Sequence, residues 1–116
     1  MVKVEIGKNE VVFRLEDVQK FLALKNAVRI PLKNIDSVST ETVKLLLLAA
    51  RISTHMPGIF MAGTFWTRKG KRFYYVRDRN KCIILKLSNH EYSQIIIEVD
   101  NKEHIAEELR KAIRKQ

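Results

Sequence analysis

The chain of 116 residues is the size that builds one hydrophobic core, and its 46% apolar and 30% charged residues exclude a disordered or fibrous protein. A single cysteine, Cys82, excludes an intramolecular disulfide framework and suits a reducing, cytoplasmic setting. The net charge of +9 is uneven: residues 68–81, "RKGKRFYYVRDRNK", hold seven Lys/Arg against one Asp/Glu and so carry +6 of it.

In chain order, "VKVEI" (2–6) and "VVFRL" (11–15) alternate apolar with polar residues and predict two strands, with Gly7 and Asn9 turning the chain between them. No apolar segment of a secretory signal stands at the N-terminus, so none is expected. The period changes over "LEDVQKFLALK" (15–25), where Val18, Phe21 and Leu22 suit a short helix. "AVRIPL" (27–32) is expected to be extended, because Pro31 disfavours helix at Ile30. "KNIDSVSTET" (33–42) reads as a twisted or bulged strand. "TVKLLLLAARIST" reads as a helical turn or an apolar loop; its run Leu45–Ala50 is much too short to span a bilayer. Such a run suits burial, an oligomer contact or a shallow membrane insertion.

The β pattern then strengthens. "GIFMAGTFW" (58–66), "KRFYYVR" (71–77), "KCIILKLS" (81–88) and "SQIIIEV" (93–99) follow one another with short polar breaks. Gly70, Asp78, Asn80 and Asn89 supply turn chemistry in those breaks, which predicts an antiparallel meander. A loop over 67–71 would pair Trp66 with Arg72, Phe65 with Phe73 and Gly63 with Tyr75. Met61, Phe65, Phe73 and Tyr75 would then share a core face, with Gly63 leaving room for the Tyr75 ring. Thr64, Trp66, Arg72 and Tyr74 would face the other way. The chain closes with a helix: Asp100 and Glu103 have capping-box spacing, Ile105, Leu109, Ala112 and Ile113 form one apolar stripe, and Arg110, Lys111, Arg114 and Lys115 complement the helix dipole.

Gly58 and Gly63 stand five apart, as the framing glycines of a phosphate-binding loop do. Such a loop needs a lysine after the second glycine and a helix directly behind it. Here Ile59, Phe60, Met61 and Ala62 fill the interval, Thr64 occupies the lysine position, and a strand pattern follows. Pro57-Gly58 is better read as a turn, and Gly63 as a bulge or a close approach. His55, His90 and His104 are scattered without metal-ligand spacing, so no metal is expected. Cys82 lies within a strand pattern and is expected to be a buried, inert thiol. No motif pairs carboxylates for acid–base work; neither an enzyme nor a cofactor is expected.

The segment that stands out is the basic one. Arg68, Lys69, Lys71, Arg72, Arg77, Arg79 and Lys81 interleave with Trp66, Tyr74 and Gly70. Cations beside aromatics suit phosphates and stacked bases, or a lipid headgroup layer. The plainer alternative is that exposed turns and edge strands carry Lys and Arg for solubility.

The order of "VRIPLKNIDSVS", "HMPGIFMAGTF", "FYYVRDRNKCIILKL" and "IIIEVDNKEHIAEELRKAI" resembles small stand-alone prokaryotic proteins with a pleckstrin-homology-like (PH-like) fold. The resemblance covers roughly residues 27–113 and rests on Pro31, Pro57-Gly58, Gly63-Thr64-Phe65 and Val99-Asp100. It implies a mainly β fold: a bent antiparallel barrel of about seven strands capped by a C-terminal amphipathic helix, in a single domain. Eukaryotic relatives often bind phosphoinositides through a basic first hairpin. In this chain the basic hairpin is a later one and "GKNE" lacks that pattern, so inositol-lipid binding is not carried over. The expected function is a non-catalytic binding or scaffold module whose partner is a protein or a second copy. The alternative is binding of an anionic membrane or nucleic acid through residues 66–81.

Overall fold

The computed structural model describes residues 2–15, 27–41 and 61–116, apart from the side chains of Met61, Ala62 and Arg79. Most of the helix expected over 15–25, the run Leu45–Ala50, His55 and the Pro57-Gly58 turn lie outside these residues. The described part is mainly β, with two sheets and a C-terminal helix.

The first sheet is an antiparallel meander of β1 (Val2–Ile6), β2 (Glu10–Leu15) and β3 (Ala27–Pro31). Alternation places Val11, Phe13, Leu15, Val28 and Ile30 in the core, while Arg14 pairs with Glu5 and Arg29 with Glu10 on the outer face, both at 2.7 Å. Gly7 N–H donates to the Glu10 carbonyl at 2.8 Å and closes the first turn. A 3-10 turn over Leu32–Asn34 leads into the second sheet, with buried Leu32 as its apolar anchor.

That sheet contains β4 (Ile35–Ser39), β5 (Met61–Thr67), β6 (Gly70–Val76), β7 (Cys82–Leu87) and β8 (Tyr92–Glu98). The strand order is β4-β7-β8-β6-β5. A bulge between Ile35 and Ser37 confirms the irregular strand expected there; Asp36 accepts a hydrogen bond from the Ser88 hydroxyl at 2.9 Å.

The all-antiparallel meander expected for the second half is corrected. β6 and β7 follow each other in sequence but do not pair; β8 lies between them, parallel to β6 and antiparallel to β7. Burial explains the order. Phe73–Val76 and Ile95–Ile97 are continuous buried runs rather than alternating ones, the pattern of strands covered on both faces. Such strands belong in the middle of a sheet, however short the loops that join them. The described pairings form two sheets and do not close into a barrel.

The β5–β6 register is also shifted by one residue. Arg68 and Lys69 alone make the turn, so Thr67 pairs with Gly70, Trp66 with Lys71, Phe65 with Arg72, Thr64 with Phe73 and Gly63 with Tyr74. The turn takes its positive φ at Gly70 (119°) rather than at Arg68 or Lys69. Phe73 and Tyr75 do face the main core, but Phe65 lies on the opposite face, edge-on to Tyr74 at 5.1 Å. Trp66 and Thr64 move with the slip to the core side. Gly63 does not make room for a ring: a Cβ there would meet nothing within 4 Å, and its φ of 119° is what calls for glycine.

Helix α1 (Lys102–Arg114) lies across both sheets, contacting β1, β4 and β7. Leu109 and Ala106 are fully buried, and Ile105, Ala112 and Ile113 pack against the same core. The capping box does not form. The helix begins one residue later than expected, Asn101 takes the N-cap position at φ 55°, and no side chain caps it. Glu103 instead accepts from the Thr40 hydroxyl at 3.2 Å. Arg110 does more than complement the dipole. Its guanidinium donates to the Val38 carbonyl at 2.9 Å, and Lys102 Nζ donates to the Thr40 carbonyl at 2.8 Å. Helix cations thus occupy the Val38 carbonyl of β4, which a further strand would otherwise use, and the Thr40 carbonyl just past its end.

Candidate binding surface at the basic hairpin

The residues singled out by charge do not form one patch. β6 separates them into two groups, because the six steps from Lys71 to Arg77 span roughly 20 Å of strand. Arg68, Lys69, Lys71 and Arg72 sit at the hairpin end with Trp66; Arg77, Arg79 and Lys81 sit beyond the other end of the strand.

The hairpin end is held firmly. The Thr67 hydroxyl donates to the Gly70 carbonyl at 2.8 Å and accepts from Lys69 N–H at 3.2 Å. From the neighbouring strand, Ser93 Oγ donates to the Lys71 carbonyl at 2.9 Å, at the point where the β6–β8 ladder shifts register. Thr64 Oγ1 and the Tyr92 hydroxyl share a hydrogen bond of 3.2 Å. On this frame Trp66 is 75% exposed, the large apolar side chain that the described surface leaves in solvent. Lys71 Nζ lies 4.6 Å from the Trp66 ring centroid and 3.7 Å from a Glu91 carboxylate oxygen. Arg68 and Lys69 are exposed at the tip, and no carboxylate among the described residues pairs with them. Arg72 departs from this group: it shares the opposite face with Phe65, and its Nε is buried without a hydrogen-bond partner.

At the far end Arg77 lies beside a carboxylate. Glu98 Oε1 accepts the backbone N–H groups of Arg77 (2.7 Å) and Asp78 (2.8 Å), while Oε2 lies 3.8 Å from the Arg77 guanidinium. The Asp78 carboxylate accepts Asn80 N–H at 2.9 Å and shapes the turn into β7. Lys81 is exposed beside a shallow depression with Lys102, Asp100 and Asn101. Nothing in the sequence pattern marks Glu98 as the clamp of this turn; it looked like an ordinary polar position in an apolar strand.

Cys82 is buried, and its thiol donates to the Asp78 carbonyl at 3.4 Å. Burial, with the negative charges of Glu98 and then Asp78, pushes the thiol up from 9.0 to about 12. Near neutral pH the folded chain therefore holds about a thousandfold less thiolate than the unfolded one. Iodoacetamide is expected to label Cys82 in urea and to leave it unmodified in buffer; rapid labelling of the native chain would contradict this burial. The folded thiol's raised pKa favours the fold below about pH 9 and ceases to do so as pH rises toward 12.

His90 Nδ1 accepts the Tyr92 N–H at 3.1 Å and its ring stacks on Tyr92, whereas His104 is exposed. Among the described residues no group of three or more His, Cys, Asp or Glu is placed to hold a metal ion, and no helix is long and apolar enough to cross a membrane.

Comparisons with family models, with curated proteins and with solved structures found no match. Fold and surface together define a class: a mainly β domain of two sheets under one helix, with a rigid cationic hairpin end that exposes a tryptophan.

Proposed function

We propose that this chain is a non-catalytic PH-like binding or scaffold module whose contact element is the end of the β5–β6 hairpin. The PH-like part of the reading rests on the order of motifs, supported by the mainly β content and by the helix packed across the sheets. A mixed sheet with one parallel pairing is its departure from an all-antiparallel barrel. The observation that carries the binding reading is Trp66, 75% exposed on a backbone fixed by Thr67 and Ser93. A large ring held out in water costs solvation and returns it on contact, and a backbone already hydrogen-bonded beneath it has little left to order when bound. The chemistry of the thiol fits the same reading: with its pKa near 12, Cys82 is no nucleophile at neutral pH. The reading places the module in the cytoplasm, with a protein or a second copy as its first partner.

Light scattering on the eluting protein tests self-association, with Trp66→Ala and the parent run side by side. A dimer lost in the variant supports the reading with a second copy as partner. A strict monomer whose tryptophan emission responds to no tested partner rejects the hairpin end as the contact element. A second reading, a polyanion at the same hairpin, is favoured by Arg68 and Lys69, exposed at its tip with no carboxylate paired to them among the described residues.

A further inference from the structure

We infer that the hairpin end docks on an anionic lipid surface, with Trp66 entering the headgroup layer and Arg68, Lys69 and Lys71 meeting the phosphates. This rests on the hairpin being the contact element and takes the second, polyanion reading of it, committing that element to a lipid surface.

The shape of the site argues for a membrane. Arg68 and Lys69 form the tip of a two-residue turn, and Trp66 and Lys71 are the cross-strand pair one step behind it. An exposed tip with an amphipathic ring suits a planar interface, where tryptophan concentrates and each basic residue adds attraction to anionic lipid. Lys71 sits on the Trp66 ring at 4.6 Å, where a lipid phosphate would compete with the exposed Glu91 carboxylate 3.7 Å away. Entry of the tip demands no unfolding, because its backbone groups are already bonded to Thr67 and Ser93.

The same features argue against a nucleic acid. Single strands bind by stacking successive bases on successive exposed rings along a charged groove. Here Phe73, Tyr74, Tyr75 and Tyr92 are all buried, and Phe65 is held edge-on to Tyr74. Among the described Phe, Tyr and Trp rings, Trp66 is the one left open to a strand. The cations that would extend a track, Arg77 to Lys81, lie at the far end of β6, with Arg77 beside Glu98. The lipid surface needs only the tip, and its affinity follows surface charge rather than headgroup identity.

Trp66 is the only tryptophan of the chain, so its emission reports the contact directly. The protein is mixed with vesicles of phosphatidylcholine alone, and of phosphatidylcholine with phosphatidylserine or with phosphatidylglycerol. A blue shift with both anionic mixtures, absent with phosphatidylcholine and reversed by salt, is the expected result. In flotation assays Arg68→Ser/Lys69→Ser is expected to bind about thirtyfold more weakly and Trp66→Ala about tenfold, with circular dichroism matching the parent. Unchanged emission with anionic vesicles at low salt would overturn the inference, as would a double variant that floats like the parent. An RNA oligonucleotide that shifts the emission where vesicles do not would assign the tip to nucleic acid instead. If only protein concentration shifts it, the membrane is rejected and the hairpin remains a contact element. If none of these moves it, both readings fall.

Discussion

Replacing Leu109 with alanine is expected to remove about 3 kcal/mol of folding stability, read as a lower urea midpoint at unchanged slope. Leu109 is fully buried on a helix that touches β1 in one sheet and β4 and β7 in the other. Truncation leaves a cavity where the two sheets and the helix meet, and that junction has three rigid walls, none of which can collapse alone. The cost should therefore fall well within the ~2–5 kcal/mol seen for buried leucines. Ile105, only partly buried on the same stripe, should lose less. A Leu109 variant within about 0.5 kcal/mol of the parent, the usual range for surface changes, would mean that the helix is not part of the core.

Glu98→Ala should be nearly as damaging. It strips the acceptor from two backbone N–H groups, those of Arg77 and Asp78, at a side chain only 19% exposed. Hydrogen bonds to a charged group contribute about 1.5–3 kcal/mol each in favourable cases, so a loss of about 2–3 kcal/mol is expected after water replaces part of the pair. Glu98→Gln keeps an acceptor oxygen and should lose roughly half as much. The two variants have a second readout. Because the Glu98 charge helps to hold the Cys82 thiol up, neutralising it should make the thiol more acidic, and native-state alkylation at alkaline pH should quicken. A Gln variant with parental stability and unchanged labelling would show that Glu98 is a bystander.

The strand positions and the helix stripe were legible because alternation and the 3.6-residue period report burial directly. "VKVEI" alternates, "VVFRL" and "KCIILKL" are dense in apolar strand formers, and each lies in a strand; the bulge in "NIDSVS" could be read from its broken pattern. What misled was proximity. The short loop between β6 and β7 suggested a hairpin, whereas the three consecutive isoleucines of β8 already marked a strand covered on both faces. The hairpin register failed for a narrower reason: the loop length hung on whether Thr67 and Gly70 pair, and only the side-chain bond between them settles it. The basic segment was legible as charge but not as a surface, because charge counts along a chain ignore the length of the strand that carries it. Exposed Trp66, clustered with four cations in sequence, keeps Arg68, Lys69 and Lys71 as its neighbours in space.

β8 is the last strand made and the one that joins the β5–β6 hairpin to β7 and β4. During synthesis a chain that has reached Leu87 therefore holds two halves of a sheet, β5–β6 and β4–β7, with no seam between them. Each half presents bare backbone donors and acceptors until residues 92–98 arrive. A nascent chain halted in that interval would be a sticky species, and its escape would depend on how soon the codons for residues 88–98 are read.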